Sequence, residues 1–349
     1  MNFASDNWGP AHPAVLAALT EANAGYAPAY GGDPLTDRAI RLIREVFDAP
    51  DAQVVLVASG TATNALALSS LVRPWQSVLC SDLAHVHVDE TGAVEHATGG
   101  AKLLPVATEG AKITPGTLSD ALAAAGHYSM RPGALSLTNA TERGTVYAPD
   151  EVAALAGLAK AAGLAVHMDG ARFQNAVAAT GAAPADLTWR AGVDALSLGG
   201  TKGGCLAAEA VVVFDPGRAD GLIERRARAG HLLSKQRFVA AQYLAWLADG
   251  LWIDCAARAN RQAARLGAGL SAAGVAPLFE VGANMVWAAL PDEADARLRE
   301  AGAHYHHMGE MAAGPLVRLV CDWSAEDEET DRFLALVEGR PRVDGPSSD

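Results

Sequence analysis

Lys202 lies in Leu196-Ser197-Leu198-Gly199-Gly200-Thr201-Lys202-Gly203-Gly204, a lone amine between an apolar run and glycines, downstream of the acidic turn His167-Met168-Asp169-Gly170-Ala171-Arg172. An amine flanked by small residues can be held against a flat cofactor and desolvated, which suits a Schiff-base nucleophile. A carboxylate ending an earlier strand can hold a pyridinium nitrogen. Singly, each has a plain explanation: a lysine between glycines is a solvated turn residue, and an aspartate after a strand is a turn or cap. Together they read as the site of a pyridoxal phosphate enzyme.

Four other positions add to the pattern. Ser59-Gly60-Thr61 follows a Val-rich run and opens a helix, Ala62-Thr63-Asn64-Ala65-Leu66, read as regularly amphipathic. Unpaired N–H groups at that helix start could dock a phosphate, or Ser59 or Thr61 could be an ordinary N-cap. His85, in Asp82-Leu83-Ala84-His85-Val86-His87, could stack on a planar cofactor or exchange a proton. If the backbone there is extended, His85 and His87 point to opposite faces, and His87 is the surface residue. Asn139 ends another strand and could donate to a phenolic oxygen, although turn chemistry explains it equally well. Arg318 interrupts Leu316-Val317-Arg318-Leu319-Val320, and a charge in a strand needs a partner, for which a substrate carboxylate is suitable.

These residues need a scaffold that brings them together. Short β-rich runs alternate with Ala- and Leu-rich stretches from Val54 to Phe214, the pattern of a mostly parallel sheet covered by helices on both faces. Strands are expected at Val54–Ala58, Ser77–Ser81, Lys102–Val106, Ala134–Thr138, Ala165–Asp169, Ala195–Leu198 and Ala210–Asp215. Helices are expected near Thr61–Val72, Pro115–Ala125 and Pro149–Ala162. Beyond Gln236 the pattern is helical (Phe238–Asp249, Cys255–Ala273) and then α+β, with strands at Met285–Leu290 and Leu316–Cys321. This organisation predicts an N-terminal arm (1–12), a large cofactor domain (13–250), a small C-terminal domain (251–338) and a disordered tail (339–349). Ser59, His85, Asn139, Asp169 and Lys202 each follow a predicted strand, and ligands of open α/β sheets collect outside the carboxyl ends of strands.

Composition narrows the partners. The 349 residues are half hydrophobic, with a formal net charge of -13 that repels nucleic acid and anionic membranes. Cys80, Cys205, Cys255 and Cys321 lie far apart, without metal-ligand or redox spacing. The start Met1-Asn2-Phe3-Ala4-Ser5-Asp6 lacks the basic and apolar regions of a leader, so a cytoplasmic enzyme is expected.

On these residues the chain resembles the low-specificity L-threonine aldolases, part of the β-eliminating lyase group with the aspartate-aminotransferase-like fold. The likeness runs from Phe3 to Arg332, through Ser5-Asp6-Asn7, Tyr30-Gly31-Gly32-Asp33-Pro34, Ser59 to Asn64, Ala84-His85 with Glu90, His167 to Arg172, Thr201-Lys202 and Val317 to Val320. It implies that Lys202 carries the cofactor, Asp169 pairs with its ring nitrogen, His85 stacks on the ring, and Gly60 and Thr61 bind the phosphate. Ser5, Arg172 and Arg318 fall on positions that hold the substrate carboxylate, and Arg172 also lies near the cofactor. Tyr30 falls on a loop that helps build a neighbouring subunit's site. A homotetramer made of dimers is implied.

Two segments depart from the family pattern. Where many members have a glycine-rich turn and an arginine reaching a phosphate across the dimer, this chain reads Ala229-Gly230-His231-Leu232-Leu233-Ser234-Lys235-Gln236-Arg237, with Lys235 the first substitute cation and Arg237 the reserve. Leu137-Thr138-Asn139-Ala140-Thr141-Glu142 looks closer to a branch that includes phenylserine aldolases. The implied reaction is cleavage of L-threonine or L-allo-threonine to glycine and acetaldehyde, with phenylserine as an alternative substrate. His85 is the first candidate base for the β-hydroxyl and His127 the second. Another lyase or aminotransferase on the same fold is the nearest rival, and a non-catalytic scaffold the remotest. A nicotinamide enzyme fits poorly, because Ser59-Gly60-Thr61-Ala62 has no GxGxxG fingerprint.

Overall fold

The computed structural model describes residues 1–124 and 130–340. Seven strands form the main sheet: β1 Gln53–Val57, β2 Gln76–Ser81, β3 Lys102–Val106, β4 Arg131–Thr138, β5 Ala165–Gly170, β6 Ala195–Gly199 and β7 Glu209–Val213. Their order is β1-β7-β6-β5-β4-β2-β3. Only β7 is antiparallel to its neighbours, so the other six run the same way. A second sheet, entirely antiparallel, has the order β8-β10-β9, from Met285–Ala289 (β8), His306–Met311 (β9) and Gly314–Val320 (β10).

The helices are α1 Pro13–Ala22, α2 Pro34–Val46, α3 Gly60–Leu71, α4 His85–Val88, α5 Ala93–Thr98, α6 Pro115–Ala123, α7 Pro149–Ala161, α8 Phe173–Thr180, α9 Leu222–Arg228, α10 Arg237–Leu247, α11 Leu251–Ala272, α12 Asp292–Glu300 and α13 Asp327–Val337. Period-two alternation splits the strand side chains between two cores. Val54, Leu56, Leu137, Met168, Leu196 and Val212 pack with Phe47, Phe173, Tyr243 and Trp246 on one face. Val55, Val57, Val78, Val211 and Val213 pack with Leu66 and Leu68 of α3 on the other. Because α3 is enclosed on almost every side, it is not the amphipathic helix expected from its sequence: every residue from Ala62 to Ser69 is buried.

The chain start belongs to the other end of the molecule. Phe3 donates its N–H to His304 O at 2.8 Å, accepts the Val320 N–H at 2.8 Å, and sets its ring 5.1 Å from Phe333 in the core of the small sheet. This tie carries Ser5, Asp6 and Asn7 to the gap between the two sheets. The four cysteines are buried and unpaired, and among the described residues no helix is long and apolar enough to cross a membrane.

Most expected elements are present, with shifted ends. β7 stops at Val213, short of the expected Asp215, and α11 begins at Leu251, before the expected Cys255. β9 had no signal in the sequence: it is an edge strand whose side chains face solvent from His307 to Met311, so hydrophobic alternation does not mark it. His127 and residues 341–349 of the tail lie outside the described residues.

Candidate active site

A cavity of about 330 Å³ opens where the parallel strands end, lined by Asn7, Ser59, Gly60, Thr61, Asn64, His85, Glu90, Asp169, Thr201, Lys202 and Glu209 among others. Asp169 is the penultimate residue of β5 and is 3% exposed. One oxygen accepts the Ala171 N–H at 3.0 Å and the other the Asn64 side-chain N–H at 2.8 Å. The Asn64 nitrogen also lies 2.7 Å from Glu90 Oε1, which in turn lies 2.8 Å from His85 Nδ1. Asp169, Asn64, Glu90 and His85 thus form one connected row. The hydrogen bond that His85 donates to Glu90 raises the His85 pKa against the opposing effect of burial, and burial raises that of Glu90. His85 begins the short helix α4, so the extended backbone considered for this stretch is not found; His87 is exposed.

Lys202 sits in the turn after β6, and its amine makes no hydrogen bond to a described residue while facing both this cavity and the larger one beside it. Burial, helped by the Arg172 charge, pushes its pKa below the ordinary lysine range. That is the state a Schiff-base amine needs. The turn is held from below: Tyr243 OH donates to Leu198 O at 2.7 Å, and Trp246 Nε1 to Gly203 O at 2.8 Å. Glu209, the first residue of the reversed strand, accepts the Thr201 N–H at 3.3 Å and is pushed up to about 7, chiefly by burial.

At the start of α3, Ser59 is the N-cap, its Oγ accepting the Ala62 N–H at 3.3 Å. The N–H groups of Gly60 and Thr61 have no partner among the described residues. A side-chain carbon built on Gly60 would meet nothing closer than Glu209 Oε2 at 4.0 Å, so the space over this helix end is open. Both expected roles of the tripeptide, cap and anion cradle, are therefore compatible here.

The larger cavity, about 610 Å³, takes in Ser5, His85, Arg143, Arg172, Lys202, Trp287 and Arg318. Arg172, which the resemblance places at the substrate carboxylate, lines this cavity and holds Asp6 through two of its guanidinium nitrogens, Nε to Oδ2 at 2.7 Å and a terminal nitrogen to Oδ1 at 2.9 Å. Burial opposes the Asp6 charge, yet Arg172 and Lys202 hold that carboxyl below its usual range. Arg318, in contrast, has a buried Nε without a partner among the described residues, and its pKa is lowered by burial first and by Arg172 second.

Several expected residues do not line either cavity. Asn139 is fully buried and braces Tyr147, donating to its carbonyl at 3.1 Å and accepting its N–H at 3.1 Å, so in this structure its amide is turned to the backbone. Tyr30 is 59% exposed, with its N–H on Ser234 O at 2.9 Å. Lys235 is exposed and Arg237 lies over the Phe238 ring, while Gln236 between them pins the segment to Leu56 O at 3.1 Å. The site also contains residues given no role from the sequence: Asp6, Asn64, Glu90, Glu142, Arg143 and Glu209. Asn64 stands one turn beyond Gly60, a spacing that could have placed it beside the phosphate site.

A buried, unbonded amine, a fixed carboxylate opposite it and an open helix start suit the aldehyde, ring nitrogen and phosphate of pyridoxal phosphate. The fold and site define a cofactor-dependent α/β enzyme of the aspartate-aminotransferase-like class. The model of the β-eliminating lyase family matches residues 2–293, and the chain belongs to that family. Its cofactor is pyridoxal 5′-phosphate. The chain is 43% identical to a low specificity L-threonine aldolase of Pseudomonas aeruginosa over 344 residues, which cover 97% of this chain and 98% of that one. It is 42% identical to the protein of the same name from a Pseudomonas species, over 96% of each chain. A threonine aldolase structure from Leishmania major superposes with a TM-score of 0.92 at 27% identity, covering 97% of this chain and 98% of that one.

Proposed function

We propose that this chain is a carbon–carbon lyase that cleaves β-hydroxy-α-amino acids between Cα and Cβ, taking L-threonine and L-allo-threonine to glycine and acetaldehyde. One observation carries the reading: the Lys202 amine, unbonded among the described residues, and the Asp169 carboxylate share a cavity that adjoins Arg318, whose Nε has no partner among those residues. When bound, pyridoxal phosphate supplies the sink for the electrons of the breaking bond. Lys202 offers the amine that holds the cofactor's aldehyde. Asp169, kept in place by Asn64 and the Ala171 N–H, offers an acceptor for a ring N–H. Gly60 and Thr61 offer two N–H groups to the phosphate.

Arg318 receives the substrate carboxylate, with Ser5 beside it, and so fixes which bond of Cα stands across the ring. Arg172 acts with them through Asp6, orienting the N-terminal arm. His85 takes the β-hydroxyl proton: Glu90 occupies Nδ1, which leaves Nε2 for the substrate. His127 is the second candidate. Residues 13–250 form the cofactor domain and 251–338 the small domain in this reading, which the separate seven- and three-stranded sheets support. The enzyme is a tetramer of paired dimers, with Tyr30 and Lys235 or Arg237 directed at a neighbouring site.

Cleavage of phenylserine to benzaldehyde and glycine is a second reading, favoured by the apolar wall that Leu83, Val88, Met285, Trp287 and Met308 give the larger cavity. The test is incubation with L-threonine, L-allo-threonine, both phenylserine diastereomers and their D forms, measuring aldehyde and glycine together. Equal amounts of the two are expected from the L substrates; a keto acid in their place would make the enzyme an aminotransferase. Lys202→Ala is expected to lose the visible absorption of the bound cofactor and to lower kcat by a factor on the order of 10³ or more.

A further inference from the structure

The wall of the larger cavity carries two guanidiniums, of Arg143 and Arg318, that hold no carboxylate among the described residues, where a monocarboxylic substrate needs one. Arg318 in β10 and Trp287 in β8 are cross-strand partners, so their side chains stand side by side on one face of the small sheet. Arg143, from the loop after β4, lies over that indole with Cζ 3.8 Å from the ring centroid. The result is a row of guanidinium, indole and guanidinium along one wall. Each arginine has a buried Nε without a hydrogen-bond partner among the described residues. Arg172, the third guanidinium of the cavity, has its charge paired with Asp6 through Nε and one terminal nitrogen.

The carboxylates near Arg143 do not satisfy it. Glu142 Oε1 accepts the Thr138 hydroxyl at 2.8 Å and the His85 N–H at 2.9 Å, and Asp82 is exposed, as is Asp89 on the Arg318 side. Stacking on Trp287 fixes the guanidinium plane and leaves its N–H edge for a planar anion, which the methyl group of threonine cannot supply. The arrangement is a cationic pair within a chain of net charge -13.

Building on the retro-aldol reading above, we propose that Arg143 is a second anion-binding residue, which makes β-hydroxy-α-amino acids with a carboxylate on the β-substituent substrates of this site. β-Hydroxyaspartate and β-hydroxyglutamate are the simplest members of the class. With β-hydroxyaspartate, the Cα–Cβ bond breaks, the β-hydroxyl gives its proton to the base, Cβ leaves as the aldehyde carbon of glyoxylate, and Cα gains a proton to become glycine. The step needs no oxidant or reductant.

The experiment compares KM and kcat of the holoenzyme for L-threonine, the threo and erythro forms of L-β-hydroxyaspartate, and L-β-hydroxyglutamate, scored by glycine released. A KM for at least one dicarboxylate below that for L-threonine is expected. Arg143→Met should lower the dicarboxylate-to-threonine ratio of kcat/KM roughly 10- to 100-fold, the range for hydrogen bonds to charged groups, mainly through KM. Arg143→Lys should recover part of it. Binding of L-aspartate against L-alanine, which have no hydroxyl to cleave, gives a readout independent of turnover and should show the same preference and the same loss. Cleavage of L-threonine with neither dicarboxylate accepted, or a ratio that Arg143→Met leaves unchanged, overturns the proposal. A wild-type enzyme inert towards every substrate would instead overturn the retro-aldol reading, and the preference for L-aspartate would still decide the role of Arg143. That wild-type preference also decides it should the variant fail to fold.

Discussion

At the scale of single residues, the Asn64 amide nitrogen holds two carboxylates, 2.8 Å from Asp169 and 2.7 Å from Glu90. Both acids are buried, and a buried carboxylate short of a donor bears a desolvation cost that water would otherwise relieve. Asn64→Ala is therefore expected to destabilise the fold by about 1–3 kcal/mol. Asn64→Asp should cost more at neutral pH, since it adds a third negative group to the same spot. Urea unfolding of the two variants checks the order. An Ala variant as stable as wild type would mean that water takes over both contacts. The same row holds His85 through Glu90, so Asn64→Ala should also weaken cofactor affinity, read by titrating the cofactor-free chain.

At the scale of elements, the glycines before Lys202 have a reason that the sequence did not express. From sequence they are only small neighbours that let an amine lie against a flat cofactor. In the structure, a side-chain carbon on Gly199 would come 2.8 Å from both Cα and O of Ala171, and one on Gly170 would come 2.6 Å from Ser197 O. The ends of β5 and β6 touch backbone to backbone, and this contact sets Asp169 and Lys202 at their separation. Gly199→Ala must spread the two strand ends, at about 1–3 kcal/mol for a misfit in a packed interior. The expected result is a lower unfolding midpoint with cofactor affinity reduced further than stability alone accounts for. A variant that loses stability but binds the cofactor normally would show that the strand ends do not set the site. Parallel strands buried on both faces were legible as apolar runs, and the residues that follow them were legible as a cluster. What stayed hidden was set by tertiary partners: Asn139 turned to Tyr147, Arg172 captured by Asp6 from the far end of the chain, and an exposed β9 with no apolar period. Glu209 begins its strand rather than following one, because β7 alone enters the sheet from the site edge, so no strand end marks it in the sequence.

At the scale of the whole molecule, that reversal stores a charge problem whose pH dependence can be measured. Folding buries Glu209 and raises its pKa from 4.5 to about 7, mainly through loss of water, with Thr201 and Lys202 acting in the opposite direction. Below pH 4.5 the group is protonated in both the folded and the unfolded chain and contributes nothing. Between 4.5 and about 7 the unfolded chain gives up a proton that the folded chain keeps, so the folded state binds more protons and stability falls as pH rises. Above about 7 both states are ionised and the cost is complete, on the order of 3 kcal/mol. Glu209→Gln removes this titration while keeping an acceptor for the Thr201 N–H. Relative to wild type, the cofactor-free variant should gain nothing further at pH 4, gain progressively through pH 6, and reach its full advantage by pH 8. Urea unfolding at these three values measures it. A constant difference between the two proteins across the series would mean that Glu209 stays ionised in the fold, neutralised by the Lys202 amine.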